Sequence, residues 1–448
     1  MKVISFNIRC ANDKDGHSVA ERAPRVKALI EKYDPDLIGF QEVVPRWMEH
    51  IPADYTDTYE LFHKYRDEVT DIEGCSMLWK KDKFECLDKG YFWYSETPDI
   101  PSKGWCTWGH YRMCMWAKLK NLENGTVFHF FNTHFGFGDQ CHVDSVRLIR
   151  EHIRHLGAKA VVLTGDFNMT QDRVGYREIT KFLSDANKLT ANDISVTCHG
   201  YNPDRTGIPI DFVFVTPDTM KPTYYHKMDE RFDGKFPSDH YGIYCEIEPR
   251  QPVRVAAINA AVAGEEAEDT HAMRMSGIRN RVKEFSPEIA ILKNCDAVLQ
   301  DKMSRAYGYE GCGGIYWKKA IFELAEELEG AVVLQKCGSG KKLCVVNGGK
   351  AAEGMPVVVG VSEVPIASEE YKALRQEYTD VRRALAPKDY TPTYHAMGAD
   401  MVLPLIESYV LYRGEGLHPL SYQVRELMSR GNGVADRSAV VVDFVMEI

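Results

Sequence analysis

The chain has 448 residues and a mass of 51.0 kDa, with 44% hydrophobic and 27% charged residues and a mean hydropathy of −0.34. That is globular composition for two or three domains, and no apolar run nears the ~18–20 residues a membrane span needs. The net charge of −10 divides as −6 over residues 1–250 and −4 over the rest, so neither half carries the surplus of cations on which non-specific nucleic-acid binding rests.

Met1-Lys2-Val3-Ile4-Ser5-Phe6-Asn7 lacks the apolar stretch of a secretory signal and reads as a strand that begins almost at once. A second buried strand is expected at 37–40, and further strands at 113–119, 127–132, 160–164 and 212–215. Between them, 146–156 and 175–183 have the periodicity of amphipathic helices. Strands alternating with helices define an α/β architecture. The twelve cysteines include no Cys-x-x-Cys pair, which points to reduced thiols and a cytoplasmic location.

The pattern then repeats. At a constant offset of 252, Val3-Ile4-Ser5-Phe6-Asn7 pairs with Val255-Ala256-Ala257-Ile258-Asn259, Arg22 with Arg274, and Pro35 with Pro287. The strand at Leu37-Ile38-Gly39-Phe40 pairs with Ile289-Ala290-Ile291-Leu292 at the same offset. Further on, Glu73-Gly74-Cys75 recurs as Glu310-Gly311-Cys312, Trp79-Lys80-Lys81 as Trp317-Lys318-Lys319, Ile210-Asp211 as Ile406-Glu407, and Asp239 as Asp436. Pro249 and Pro252 bracket the junction, so two tandem copies are expected, 1–248 and 253–448.

Polar residues that end apolar strands are where α/β proteins place reactive groups. In the first copy these are Asn7, Gln41-Glu42, Asn132-Thr133-His134, Gly165-Asp166-Phe167-Asn168, Asp211 and Ser238-Asp239-His240. Several oxygen ligands and two imidazoles, with no nucleophilic Ser or Cys in evidence, suit Mg²⁺, with Mn²⁺ as the alternative. They also suit water attack on a phosphorus centre. Taken singly, each has an ordinary structural role, such as a strand end, a helix cap or a turn; together those readings require six coincidences.

Phe6-Asn7-Ile8-Arg9, Gln41-Glu42-Val43, Asn132-Thr133-His134, Gly165-Asp166-Phe167-Asn168 and Ser238-Asp239-His240, in this order, closely resemble the endonuclease/exonuclease/phosphatase superfamily of deoxyribonuclease-like enzymes. Phe92-Trp93-Tyr94-Ser95-Glu96-Thr97-Pro98 and Ser102-Lys103-Gly104-Trp105 further resemble bacterial members. The resemblance implies a two-sheet β-sandwich flanked by helices, four layers in the order αββα, present here in tandem. It implies Glu42 as the principal Mg²⁺ ligand with Asn7 and Asp239 beside it, Asp166 orienting the attacking water, and Asn168 holding the phosphate or that water. His240, paired with Asp211, serves the leaving oxygen; His134, its tautomer fixed by Glu73, binds a non-bridging oxygen. Acidic partners favour the charged form of both imidazoles. Arg112 is a candidate phosphate contact, and Trp105, Trp108 and Tyr111 are candidates for stacking. Relatives with this Asn-Thr-His motif often carry Asp-His shortly after it, where this chain has Gly136-Phe137.

The second copy departs from the pattern. Asn294 stands at the place of Glu42, Gly349 at His134, Val361 at Asp166, Glu363 at Asn168 and Arg437 at His240, with Asp436 retained. The expectation is a Mg²⁺-dependent phosphoric-ester hydrolase in the first copy, on a diester sooner than a monoester, followed by a degenerate, non-catalytic repeat. The alternatives are a non-catalytic phosphate-binding protein, or a phosphomonoesterase or endonuclease on the same site. The expected partner is a phosphate-ester substrate, with nucleic acid disfavoured by charge and no membrane span.

Overall fold

The computed structural model describes residues 1–12, 16–67, 69, 72–107, 109–190, 194–250, 252–261, 268–306, 308–387, 389, 391, 393, 406–429, 432–433 and 438–446. The chain divides into two compact units, Met1–Arg250 and Gln251–Ile448. Trp108, Asp436 and Arg437, singled out in the sequence, lie outside the described residues. No helix among the described residues is long and apolar enough to cross a membrane.

Unit 1 contains β1 (Lys2–Asn7), β2 (Leu37–Val43), β3 (Tyr59–Tyr65), β4 (Gly74–Lys80), β5 (Phe84–Trp93), β6 (Met113–Asn121), β7 (Val127–His134), β8 (Val161–Asp166), β9 (Ser184–Asp185), β10 (Asp211–Val215), β11 (Met220–Met228) and β12 (Gly242–Pro249). They form two sheets, β11-β12-β1-β2-β4-β3 and β5-β6-β7-β8-β10-β9. Strand alternation decides what each sheet buries. Val3, Leu37, Met77 and Trp79 of sheet one meet Met115, Leu119, Phe130, Val162 and Val213 of sheet two in the central core. The odd-numbered partners of Val3 along β1 are Ser5 and Asn7, so the inward face turns polar at the strand's end.

Helices close the outer faces. Helix α1 (Val19–Tyr33) starts at a capping box in which Ser18 and Glu21 satisfy each other's backbone N–H groups. It lays Val26, Leu29 and Ile30 on Ile4, Phe6 and Ile38. Helix α2 (Asp139–His155) covers sheet two through Val146, Ile149 and Ile153, beginning seven residues before the expected 146. The helix expected at 175–183 is shorter, Val174–Ile179. Thr180 ends it with its hydroxyl on the Tyr176 carbonyl (2.9 Å), and pairing of β9 with β10 draws Ser184 and Asp185 into a strand.

Beneath the polar end of the sandwich, hydrogen bonds replace apolar packing. Asn132 of β7 donates across to the Phe40 (2.9 Å) and Ser76 (3.1 Å) carbonyls of sheet one. Its oxygen accepts from Gln41 Nε2 (2.7 Å) and Thr164 Oγ1 (3.0 Å). A Cβ on Gly39 would sit 2.3 Å from Thr164 Oγ1 and 2.6 Å from Asn132 Oδ1, so only glycine lets the sheets approach here.

Unit 2 repeats the architecture. Leu417–Arg425, Ala439–Met446, Pro252–Asn259, Ile289–Lys293, Ile315–Lys318 and Tyr309–Cys312 lie side by side in the order of sheet one. Phe322–Leu328, Ala331–Lys336, Lys342–Val346, Val357–Val361, Tyr409–Arg413 and Thr379–Asp380 follow the order of sheet two. Specific bonds recur as well. Asn347 Nδ2 donates to Leu292 O (3.1 Å) as Asn132 does to Phe40 O, and Tyr371 bonds Asp380 (2.6 Å) as Tyr176 bonds Asp185 (2.9 Å). Left-handed backbone recurs at Glu42 (φ 61°) and Asn294 (54°), at Asn168 (46°) and Glu363 (66°), and at Asp34 (46°) and Ser286 (45°). Two sequence matches shift. Val361 and Tyr409 pack with the outer core, and Asn259 donates to Ser362 as Asn7 does to Asp166, so Ser362 rather than Val361 occupies the place of Asp166. The Ser408 N–H bonds Thr393 Oγ1 as that of Asp211 bonds Thr197 Oγ1, so Ser408 rather than Glu407 occupies the place of Asp211.

Gly39→Ala is expected to destabilise unit 1 by about 1–3 kcal/mol, the usual result of forcing a methyl into a filled interior. Chemical denaturation followed by tryptophan fluorescence measures it; an unchanged midpoint would show that the clamp yields without cost.

Candidate functional site

The C-terminal ends of the parallel strands β1, β2, β7 and β8 and the start of the antiparallel β10 meet at one end of the unit 1 sandwich. Because side chains alternate, Asn7, His134, Asp166 and Asp211 all fall on the inward face there, each under a tenth exposed. Asn7 joins the two sheets, its amide nitrogen donating to Glu42 Oε1 (3.0 Å) and Asp166 Oδ2 (2.9 Å). Its oxygen is turned away, onto the Arg9 backbone N–H (2.9 Å). Two adjacent carboxylates compete for its N–H groups, and Asn7 organises them.

Glu42 is half-buried and in the left-handed region, where a non-glycine residue costs about 1–3 kcal/mol. The surroundings over-determine it. Cys10 N–H donates to Glu42 Oε2 (2.8 Å), while the fully buried Arg22 holds the loop by bonding the carbonyls of Ile8, Arg9 (3.0 Å) and Cys10 (2.8 Å). Burial and the neighbouring Glu73 work to raise the Glu42 pKa, yet the Asn7 hydrogen bond and His240 help hold it below the usual carboxylate range. Asp166 goes the other way, raised by burial and by the charge of Asp211.

The two histidines differ. His240 Nδ1 is 2.9 Å from Asp211 Oδ2; burial favours the neutral ring, but Asp211 outweighs it and raises the pKa well above that of a free imidazole. His134 was expected to be charged like His240. It is instead pushed down to about 3, by burial first and then by the guanidinium of Arg112, against the pull of Asp166 and Glu42. Its Nδ1 lies 3.3 Å from Glu73 Oε1, and its Nε2 receives the Asn168 amide (3.1 Å). His134 therefore positions Asn168, whose amide also bonds Phe135 O (3.0 Å).

Glu73 is shared. Arg66 Nη1 is 2.7 Å and Arg112 Nη1 3.9 Å from the same oxygen, Oε1. Arg112 is only 6% exposed, and its Nε and Nη1 make no hydrogen bond among the described residues. Arg66 went unnoticed in the sequence because it follows β3 outside every recognisable motif. Asp239 lies against Arg9 (3.3 Å to Nε), outside the two groups whose ligand atoms fall within 4.8 Å of one another. Trp105 packs on the outer core of sheet two and Tyr111 on the central core, each only partly buried.

Glu42, His134 and Asp166 each offer a ligand atom within 4.8 Å of the others, and so do Asp166, Asp211 and His240. In the second group, His240 is committed to Asp211. In the first, two carboxylates crowd into a poorly hydrated end of a sandwich, a donor set that fits a hard divalent cation.

This fold and this site define a phosphoester-cleaving class. The family model described as Endonuclease/Exonuclease/phosphatase family matches residues 4–240, more than half of the chain, and the chain belongs to that family. Members of the family are hydrolases acting on phosphoesters, and this protein is a hydrolase of that type. Among solved structures it is similar to an endonuclease/exonuclease/phosphatase family protein from Bacteroides thetaiotaomicron, at 29% identity and a TM-score of 0.52, covering 55% of this chain and 97% of that one. It is also similar to a mannosyl-6-phosphatase of the same species, at 29% identity and a TM-score of 0.51, covering 55% and 99%. An uncharacterised protein of Acanthamoeba polyphaga mimivirus is 26% identical over 266 residues, 55% of this chain and 92% of that protein.

Asp211→Asn removes the charge that raises the His240 pKa. Activity that needs protonated His240 falls as pH rises through that pKa, so the alkaline limb of the kcat profile is expected to move to lower pH. The maximal rate is expected to drop by about 10²–10⁴-fold. An alkaline limb that stays in place would remove His240 from the reaction.

Proposed function

We propose that unit 1 hydrolyses a phosphomonoester with the help of a divalent cation. The observation that carries this reading is the pair of buried guanidiniums, Arg66 and Arg112, sharing the single carboxylate of Glu73 beside His134. One surplus positive charge remains there, and Arg112 Nε and Nη1 make no hydrogen bond among the described residues. A monoester dianion repays such a charge more than a diester monoanion does. Similarity to a mannosyl-6-phosphatase supports the same choice. It differs from the diester preferred on sequence grounds, where Arg66 was not visible.

Glu42 and Asp166 would hold the cation. A bound divalent cation neutralises charge on the phosphoryl oxygens and polarises the phosphorus. The site's own charges call for it. Glu42, Glu73, Asp166, Asp211 and Asp239 stand against Arg9, Arg66, Arg112 and protonated His240, so the site is one charge negative until a divalent ion makes it one charge positive. Asp166, its pKa raised, accepts a proton from the attacking water, and Asn7 keeps that carboxylate facing Glu42. Arg112 binds the non-bridging oxygens, and Asn168, held by His134, orients the phosphoryl group or the water. His240, kept protonated by Asp211, gives its Nε2 proton to the leaving oxygen. A carboxylate raised toward a more basic range beside an imidazole kept protonated is the arrangement acid–base catalysis requires.

An aryl phosphomonoester and an aryl phosphodiester, assayed with Mg²⁺ or Mn²⁺ and with chelator, test the reading. The monoester is expected to lead in kcat/KM by about tenfold or more, a difference of ~1.4 kcal/mol. Turnover should be lost with chelator and in Glu42→Ala and Asp166→Ala. Arg112→Ala should cost the monoester about 10–100-fold, the value of a charged hydrogen bond, and the diester less. A faster diester, insensitive to Arg112, would return the assignment to a phosphodiesterase.

A further inference from the structure

In unit 2 the place of the unit 1 site is a small cleft of about 10 Å³, room for one oxygen-sized group, lined by Asn259, Lys293, Asn347, Val361, Ser362 and Ser408 among others. None of its described lining residues is acidic, whereas the corresponding end of unit 1 holds Glu42, Asp166 and Asp211. Lys293 stands at the offset position of Gln41, so a neutral amide has become an ammonium group. Its Nζ lies 3.3 Å from the Ser362 carbonyl and 3.8 Å from Glu363.

The hydrogen bonds around the cleft run in one direction. Asn294 donates to Asn259 Oδ1 (2.7 Å), and Asn259 donates to Ser362 Oγ (2.9 Å). Ser362 Oγ is thus an acceptor already, and its own proton is available to the cleft. Ser408 is 3% exposed, and its hydroxyl has no hydrogen-bond partner among the described residues. Buried hydroxyls are normally bonded, so an orphan lining a cleft marks a missing acceptor. An ammonium and two hydroxyl donors with no carboxylate in the lining favour an oxyanion and disfavour a cation.

We infer that unit 2 has exchanged a cation site for a metal-independent site that takes one oxygen of a phosphoryl group, with Lys293 supplying the charge that a metal supplies in unit 1. The group can belong to inorganic phosphate or to a phosphomonoester, and the two are distinguished by titrating each.

The test is isothermal titration of the full chain, in excess chelator, with inorganic phosphate and with a sugar phosphate, comparing wild type with Lys293→Gln and Ser408→Ala. Arg112→Ala serves as the background, so that residual binding in unit 1 does not contribute. One equivalent of either ligand is expected to bind, weakened about tenfold or more by Lys293→Gln and severalfold by Ser408→Ala. Thermal melting of each variant checks that it is folded, and metal-dependent turnover by Lys293→Gln with Arg112 intact is expected to equal wild type. Tighter binding of the sugar phosphate identifies an ester as the source, and tighter binding of phosphate identifies the free ion; either supports the site. No binding to the chelated Arg112→Ala protein, or binding unchanged by Lys293→Gln in a folded variant, would overturn it.

Discussion

Two N–H groups of one side chain organise this site. Asn7 ends a strand of one sheet and bonds Asp166 at the end of a strand in the other, and it holds Glu42 at the same time. Carboxylates left this close repel, and burial strengthens the repulsion. A neutral double donor between them keeps both in place without the charge that would cancel a cation site. The glycine at position 39 and the Asn132 clamp act one layer below, fixing the separation of the sheets so that Asn7 can span it.

The rest of the site follows from environments that differ over a few ångströms. Asp211 raises the His240 pKa, while Arg112 and burial depress that of His134. Two imidazoles at one site therefore take different roles, one carrying a proton and the other holding an amide. A histidine beside a carboxylate is not charged by that fact alone; the balance of nearby guanidinium and lost hydration decides.

Much of this was legible in the sequence. Strand alternation and the ordered motifs placed Asn7, Glu42, His134, Asp166, Asp211 and His240 together, and the two-sheet architecture with them. The constant offset of 252 exposed the repeat, down to Arg22 and Arg274, each of which bonds a loop carbonyl just after its unit's first strand. What stayed hidden depends on orientation. A letter code does not say which end of the Asn7 amide faces the carboxylates. Arg66 follows a strand with no motif, and the matches of Asp166 with Val361 and of Asp211 with Glu407 each missed by one residue, because strand register, not residue type, sets the counterparts Ser362 and Ser408.

The second unit isolates fold from chemistry. It keeps the strand order, the cross-sheet amide and the left-handed backbone at Asn294 and Glu363, although neither residue has the chemistry of its counterpart. Strain at these positions is thus a property of the turn geometry, inherited with the sandwich. The account as a whole rests on the carboxylate pair of unit 1 being the chain's divalent-cation site. Calorimetric titration of the metal-free chain with Mn²⁺ tests this directly, with wild type beside Glu42→Gln. One ion per chain, lost in the variant, is the predicted result; two ions per chain, or one ion bound equally well without the Glu42 carboxylate, would contradict it.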